Sequence, residues 1–152
     1  MFEFNETLEQ ARARNIRDAL MEDMGRNDWT AQLVPATQRV KARVLVREEA
    51  VLCGREWFDG CIHALDAQAR IDWHADEGAK MATDTLVCHI EAEARALLSA
   101  ERPALNFLQL LSATATVTRR RFAPRTSAPV AARAVSCACR APRSRAGWAR
   151  RR

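Results

Sequence analysis

The chain has 152 residues, with 24 Lys+Arg against 19 Asp+Glu and a formal net charge of +5. That average hides two unlike parts: residues 1–118 hold 13 basic and all 19 acidic residues, a net of −6, whereas residues 119–152 hold 11 Arg and no acid, a net of +11. The length suits one domain with a real core, and an acidic body of this kind excludes specific nucleic-acid binding by the domain, because phosphate contacts need clustered positive charge.

The N-terminal stretch MFEFNETLEQARAR is acidic and amphipathic without an apolar signal core, so a cytoplasmic protein is expected. Residues 5–24 read as a helix, with Leu8, Ala11, Ile16, Ala19 and Leu20 on one stripe, Asn5 or Thr7 as its cap and Gly25 as its terminator. GRNDWT then reads as a turn. VKARVLVRE, from Val40, alternates as a half-buried strand, and a second short strand follows at 50–53. Residues 56–65 have helical spacing, 70–74 alternate, 76–78 form a turn, and 85–90 make another strand. From Glu93 onward Ala94, Leu97, Leu98, Leu105, Leu108 and Leu111 recur at helical spacing. Pro103 interrupts that pattern and predicts a kink or restart at about 99–102. The longest uncharged run, 103–118, contains Asn106 and Gln109 and is too short and polar to span a bilayer, so no membrane partner is expected. The fold class is α+β: about four short strands packed with helices, then a long helix.

Chemistry-bearing residues are sparse. Arg102, Asn106 and Gln109 fall on one side of the long helix; a guanidinium there serves either structure, by pairing with a carboxylate, or an anionic ligand gripped by its fork. Glu22, Asp23 and Asp28 cluster near a turn, where capping or solvation is the ordinary role. His63, His74 and His89 are far apart with no metal-site spacing, and Cys53, Cys61 and His63 match no zinc pattern. Cys53, Cys61 and Cys88 read as free thiols rather than disulfides.

Three stretches together resemble the N-terminal part of quinolinate phosphoribosyltransferase, the carboxylating nicotinate-nucleotide pyrophosphorylase family: ALMEDMGRNDWTAQLVP (19–35), ARVLVREEAVLCGREWF (42–58) and ARALLSAERPALNFLQLLSATATVTRR (94–120). The last is the most specific, since the family pattern there runs E-R-x-A-L-N-F-L-Q. The resemblance implies an N-terminal sandwich domain (here 1–118) followed by an α/β barrel, in a head-to-tail homodimer whose sandwich covers the partner's barrel mouth. It implies an enzyme that joins quinolinate and phosphoribosyl pyrophosphate into nicotinate mononucleotide, releasing pyrophosphate and carbon dioxide, with Mg2+, in de novo NAD synthesis. By the same implication Arg102 binds a quinolinate carboxylate in trans. No catalytic residue and no metal ligand is assigned within this chain, because the family places them, with the Mg2+ site, in the barrel.

The sequence departs from the family at Asn27, Ala92 and Ala113, where glycine is usual, and a need for positive φ there would strain alanine. The barrel segment does not follow. Residues 119–152 are instead an Arg/Ala-rich stretch, 20 of 34 residues being one or the other, which composition marks as disordered. Such a mixture is what GC-rich DNA yields in a displaced reading frame, so a truncated, inactive chain is the expectation. The alternatives are a non-catalytic module capping a full-length homologue, or a basic arm for nucleic acid.

Overall fold

A computed structural model of the chain describes residues 6–25, 33–35, 38–122 and, as backbone, 135–140. The turn at 26–30, with Asn27 and Asp28, and the tail at 123–134 and 141–152 lie outside the described residues.

Helix α1 (Leu8–Met24) starts where its chemistry dictates: the Thr7 hydroxyl accepts from the Gln10 amide while the Gln10 side chain accepts from the Thr7 amide, a reciprocal capping box. It ends at Gly25, whose φ of 53° is the conformation glycine tolerates best. Strand β1 (Arg39–Val46) buries Ala42, Val44 and Val46 and exposes Lys41 and Arg43, the alternation expected of a sheet with one wet face. Strand β2 (Ala50–Val51) leads into helix α2 (Arg55–Leu65) through Gly54. Gly54 has φ 103°, and a Cβ there would stand 2.8 Å from a Leu111 methyl, so both backbone and packing demand glycine. The carboxylate of Glu77 caps α2, accepting from the amides of Gly54 at 2.7 Å and Arg55 at 3.2 Å.

Strands β3 (Arg70–Trp73), β4 (Lys80–Met81) and β5 (Leu86–Glu93) follow, then helix α3 (Ala94–Phe122) and strand β6 (Val135–Arg140). The main sheet has the order β3-β5-β1-β6 with every neighbouring pair antiparallel; β2 and β4 form a separate two-stranded ribbon. One sheet face meets the helices. Val44, Val46, Cys88, Ile90 and Ala92 from the strands join Phe58, Cys61 and Ile62 from α2 and Leu97, Ala100, Ala104 and Leu108 from α3 in a single core. Full burial of each large apolar side chain there stabilises by about 1.5–3 kcal/mol. The result is a two-layer α+β sandwich.

Three expectations are corrected. Helix α3 runs without interruption through Pro103, with no restart at 99–102. Proline removes one amide donor, but Pro103 itself is buried and its neighbours Ala100 and Ala104 are fully buried, so core packing on both sides holds the helix together. The helix also continues past residue 118 to Phe122, with Arg119, Arg120 and Arg121 in its last turn, where cations complement the helix dipole. Finally, residues 135–140, inside the stretch expected to be disordered, form β6 along β1 from Lys41 to Val46. Composition argues from apolar area alone, whereas an open strand edge offers backbone hydrogen bonds to any extended segment.

The glycine-to-alanine departures are harmless where they can be seen. Among the described residues the only non-glycine position with positive φ is Asp84, so neither Ala92, in β5, nor Ala113, in α3, needs glycine's freedom.

Candidate functional site

Arg102 lies on the outward face of α3, with Asn106, Gln109 and Leu110 also exposed. The last turn of α1 brings Asp23 against it, and an Arg102 guanidinium nitrogen donates to Asp23 Oδ1 at 2.9 Å. The side chain of Arg102 is 75 % exposed and that of Asp23 22 %. A pair so open to water contributes between nothing and about 1 kcal/mol. Asp23 therefore orients the guanidinium without holding it strongly, and another carboxylate can take its place. Of the acidic group at 22, 23 and 28, the structure gives Asp23 this partner, leaves Glu22 exposed, and Asp28 is outside the described residues.

The sheet's outer face carries a second group, one that residue spacing does not reveal. Antiparallel register places Asp72 of β3 directly opposite His89 of β5, and the His74 amide donates to the Val87 carbonyl at 2.8 Å. His74 Nε2 then lies 3.0 Å from His89 Nδ1 and 3.8 Å from Asp72 Oδ2, with the two rings edge-on at 89°. The sequence signal is an Asp-x-His that runs off the end of one strand and faces a lone His on its neighbour, legible only once the register is known. His63 is elsewhere, its Nε2 3.2 Å from the Ala69 carbonyl.

The Asp72, His74 and His89 group is the one cluster of three candidate metal ligands among the described residues. It does not fit magnesium, a hard cation that takes oxygen ligands, since two of its three donors are imidazole nitrogens.

Cys53, Cys61 and Cys88 are free thiols, Cys61 and Cys88 buried and Cys53 half-buried. Burial pushes the Cys61 and Cys88 thiols up to about 12, and burial with a hydrogen bond to Glu77 raises Cys53. Raised thiols are poor nucleophiles and poor metal ligands near neutrality. No helix among the described residues is long and apolar enough to cross a membrane.

Fold and site define the class: a small α+β sandwich domain that presents a carboxylate-pairing arginine from an exposed helix face. The model of the quinolinate phosphoribosyl transferase N-terminal domain matches residues 28–112. The chain belongs to that family, whose members are carboxylating phosphoribosyltransferases of pyridine nucleotide biosynthesis. It is 34% identical over 104 residues to a probable carboxylating nicotinate-nucleotide pyrophosphorylase of Synechocystis, covering 68% of this chain and 35% of that protein. A Bacillus subtilis protein of the same description is 30% identical over 99 residues, 65% of this chain and 34% of its own length. The solved nicotinate-nucleotide pyrophosphorylase of Francisella tularensis superposes with a TM-score of 0.71 at 34% identity, over 78% of this chain and 43% of that one. The chain thus spans about a third of the length of the curated relatives it matches.

Proposed function

We propose that this chain supplies the sandwich half of a carboxylating nicotinate-nucleotide pyrophosphorylase, in which Arg102 binds a quinolinate carboxylate within a barrel contributed by a second subunit. The observation that carries the reading is Arg102 itself: it stands in the stretch ERPALNFLQ, exposed on α3, with one guanidinium nitrogen on the half-buried Asp23 carboxylate. A dicarboxylate substrate calls for a permanently charged, bidentate donor, and exchanging the Asp23 carboxylate for a substrate carboxylate away from water strengthens the pairing. In this reading, quinolinate and phosphoribosyl pyrophosphate yield nicotinate mononucleotide, pyrophosphate and carbon dioxide. The residues that hold Mg2+, which would offset charge on the pyrophosphate leaving group, belong to the barrel. Leu110 and Val117, exposed along the same helix as Arg102, support a face that meets another subunit. They equally favour a second reading, a non-catalytic module that caps a full-length homologue.

The test is a chimera joining residues 1–122 to the barrel of the Francisella tularensis relative. It is expected to form nicotinate mononucleotide. Arg102→Ala in it is expected to lower kcat/KM for quinolinate at least about 30-fold, the equivalent of some 2 kcal/mol for a buried charge-assisted pair. The KM for phosphoribosyl pyrophosphate should stay unchanged. An active chimera indifferent to Arg102→Ala would remove the proposed role. The 152-residue chain by itself is expected to produce none of the nucleotide, and turnover by it would overturn the division of labour between sandwich and barrel.

A further inference from the structure

We propose that Asp72, His74 and His89 form a surface site for a borderline divalent transition-metal ion, of which Zn2+ is the representative. Two of the donors, Asp72 and His89, come from adjacent strands, and the third, His74, is the first residue beyond β3, so all three are set by the backbone rather than by chance approach of long side chains. Asp72 and His89 are cross-strand partners, and His74, two residues after Asp72 and just past the end of β3, reaches both. The sheet is distorted at this point. Val44 and Leu45 of β1 pair with Cys88 and Leu86, so Val87 is an extra residue in β5, and its carbonyl fixes the His74 amide. Bulges of this kind re-aim neighbouring side chains.

The distances suit a small ion. Tetrahedral zinc with Zn–N bonds of about 2.0–2.1 Å separates its ligand atoms by roughly 3.3 Å. Here the two imidazole nitrogens are 3.0 Å apart, the carboxylate oxygen is 3.8 Å from the nearer one, and all three donor atoms lie within 4.8 Å of one another. Without a metal, the two facing nitrogens can coexist at 3.0 Å only by sharing a proton, one donating and the other accepting. With a metal, both facing nitrogens are bare and each neutral ring keeps its proton on its far nitrogen, so the ion replaces one hydrogen bond by two coordinate bonds. Two imidazoles and one carboxylate select Zn2+, Ni2+ or Cu2+ over magnesium or calcium. A fourth position opens to solvent, because all three residues are exposed. Opposing the ion is Arg43, the β1 partner of His89 on its other side, which is exposed on the same face. Removing that charge should tighten binding.

The experiment uses the full chain under reducing conditions, with Zn2+ affinity measured by competition against a chromophoric chelator. Saturable 1:1 binding is expected, weakened at least about tenfold by His74→Ala or His89→Ala, unchanged by His63→Gln, and strengthened by Arg43→Gln. Each variant's circular dichroism spectrum and melt establish that it is folded. Because the protein has three histidines, proton NMR with Ni2+ gives a second readout. The ring signals of His74 and His89 should broaden together while that of His63 stays sharp. The absence of saturable binding, affinity indifferent to His89→Ala, broadening of all three histidines alike, or a thiolate charge-transfer band with Co2+ would each overturn the site.

Discussion

Asp59 and Asp66 lie on and just beyond the same helix, and their carboxylates respond to their surroundings in opposite ways. Asp66 ends α2; its Oδ2 accepts from the Glu93 amide at 2.8 Å and its Oδ1 from the Gln68 amide at 2.9 Å, with Arg39 at 3.6 Å. The Glu93 amide above all, against an opposing effect of burial, holds its carboxyl below the ordinary value. For Asp59 burial dominates and raises the carboxyl, although the Trp73 indole N–H donates to it at 3.0 Å. The signs follow by linkage. A lowered carboxyl contributes stability that is present above the unfolded value, about 3.9, and is lost as pH falls through the folded one; a raised carboxyl contributes below the unfolded value and loses that contribution as pH rises through its folded one. Asp66→Asn places an amide NH2 against a backbone N–H that now lacks an acceptor, and should cost about 2 kcal/mol near pH 7. That difference from the parent should shrink below about pH 4. Asp59→Asn keeps an acceptor for Trp73 and removes a buried charge, so it should be neutral or slightly stabilising at pH 7. Urea melts from pH 3 to 7 measure both, and equal losses for the two variants would contradict the assignment.

At the scale of elements, α3 is more than an apolar cover. Three of its positions are polar and buried, Ser99, Ser112 and Thr116, and the last two bond to the chain around β2. Thr116 Oγ1 accepts from the Val51 amide at 2.8 Å and donates to the Ser112 carbonyl; Ser112 Oγ accepts from the Cys53 amide at 3.0 Å and donates to the Cys53 carbonyl at 3.1 Å. The helix thus serves as a substitute strand for the chain leaving β2. Thr116→Val preserves shape but strands the Val51 amide in the core, at an expected cost of about 1–3 kcal/mol. Thr118→Val, whose hydroxyl bonds only within its own helix and is exposed, should cost less than about 0.5 kcal/mol. Thermal melts of the two variants compare them directly, and equal losses would show that the β2 linkage adds nothing.

How much of this was legible depends on whether the cause is local. The cap at Thr7, the stop at Gly25 and the alternation of β1 are written in neighbouring residues, and all three are present in the fold. The family stretch at 101–109 singled out Arg102, but not Asp23, which reaches it from 79 residues away. Nothing in the local sequence singles out Ser112 and Thr116, because their partners are backbone groups some 60 residues earlier. Strand β4, two residues long, has too few residues to show a period. The continuity of α3 through Pro103 and the meeting of His74 with His89 both depend on tertiary placement, which no local pattern encodes.

The whole molecule divides by charge and by packing, and the two divisions differ in place. Among the described residues, every member of the hydrophobic core lies between Ile16 and Leu108, while the basic excess lies beyond residue 118. The tail's described contribution is β6, whose six residues lie along the Lys41–Val46 edge of β1. Fold stability and tail should therefore separate. A chain ending at Phe122 keeps every core residue among the described ones and the whole of α3, and its composition changes from a net +5 to 16 basic against 19 acidic residues, a net of −3. It should unfold cooperatively, with the far-UV signature of the α+β sandwich. It also loses the cover of β1, an eight-residue strand whose alternate residues are apolar, leaving a row of unpaired backbone groups at the sheet edge. Increased self-association is the expected consequence, and because the driving contacts are backbone hydrogen bonds, moderate salt should not abolish it. Sedimentation velocity on both chains at matched ionic strength measures the difference. A non-cooperative melt of the shortened chain would show that the tail helps to hold the core, and a clean monomer would show that β6 does not guard that edge.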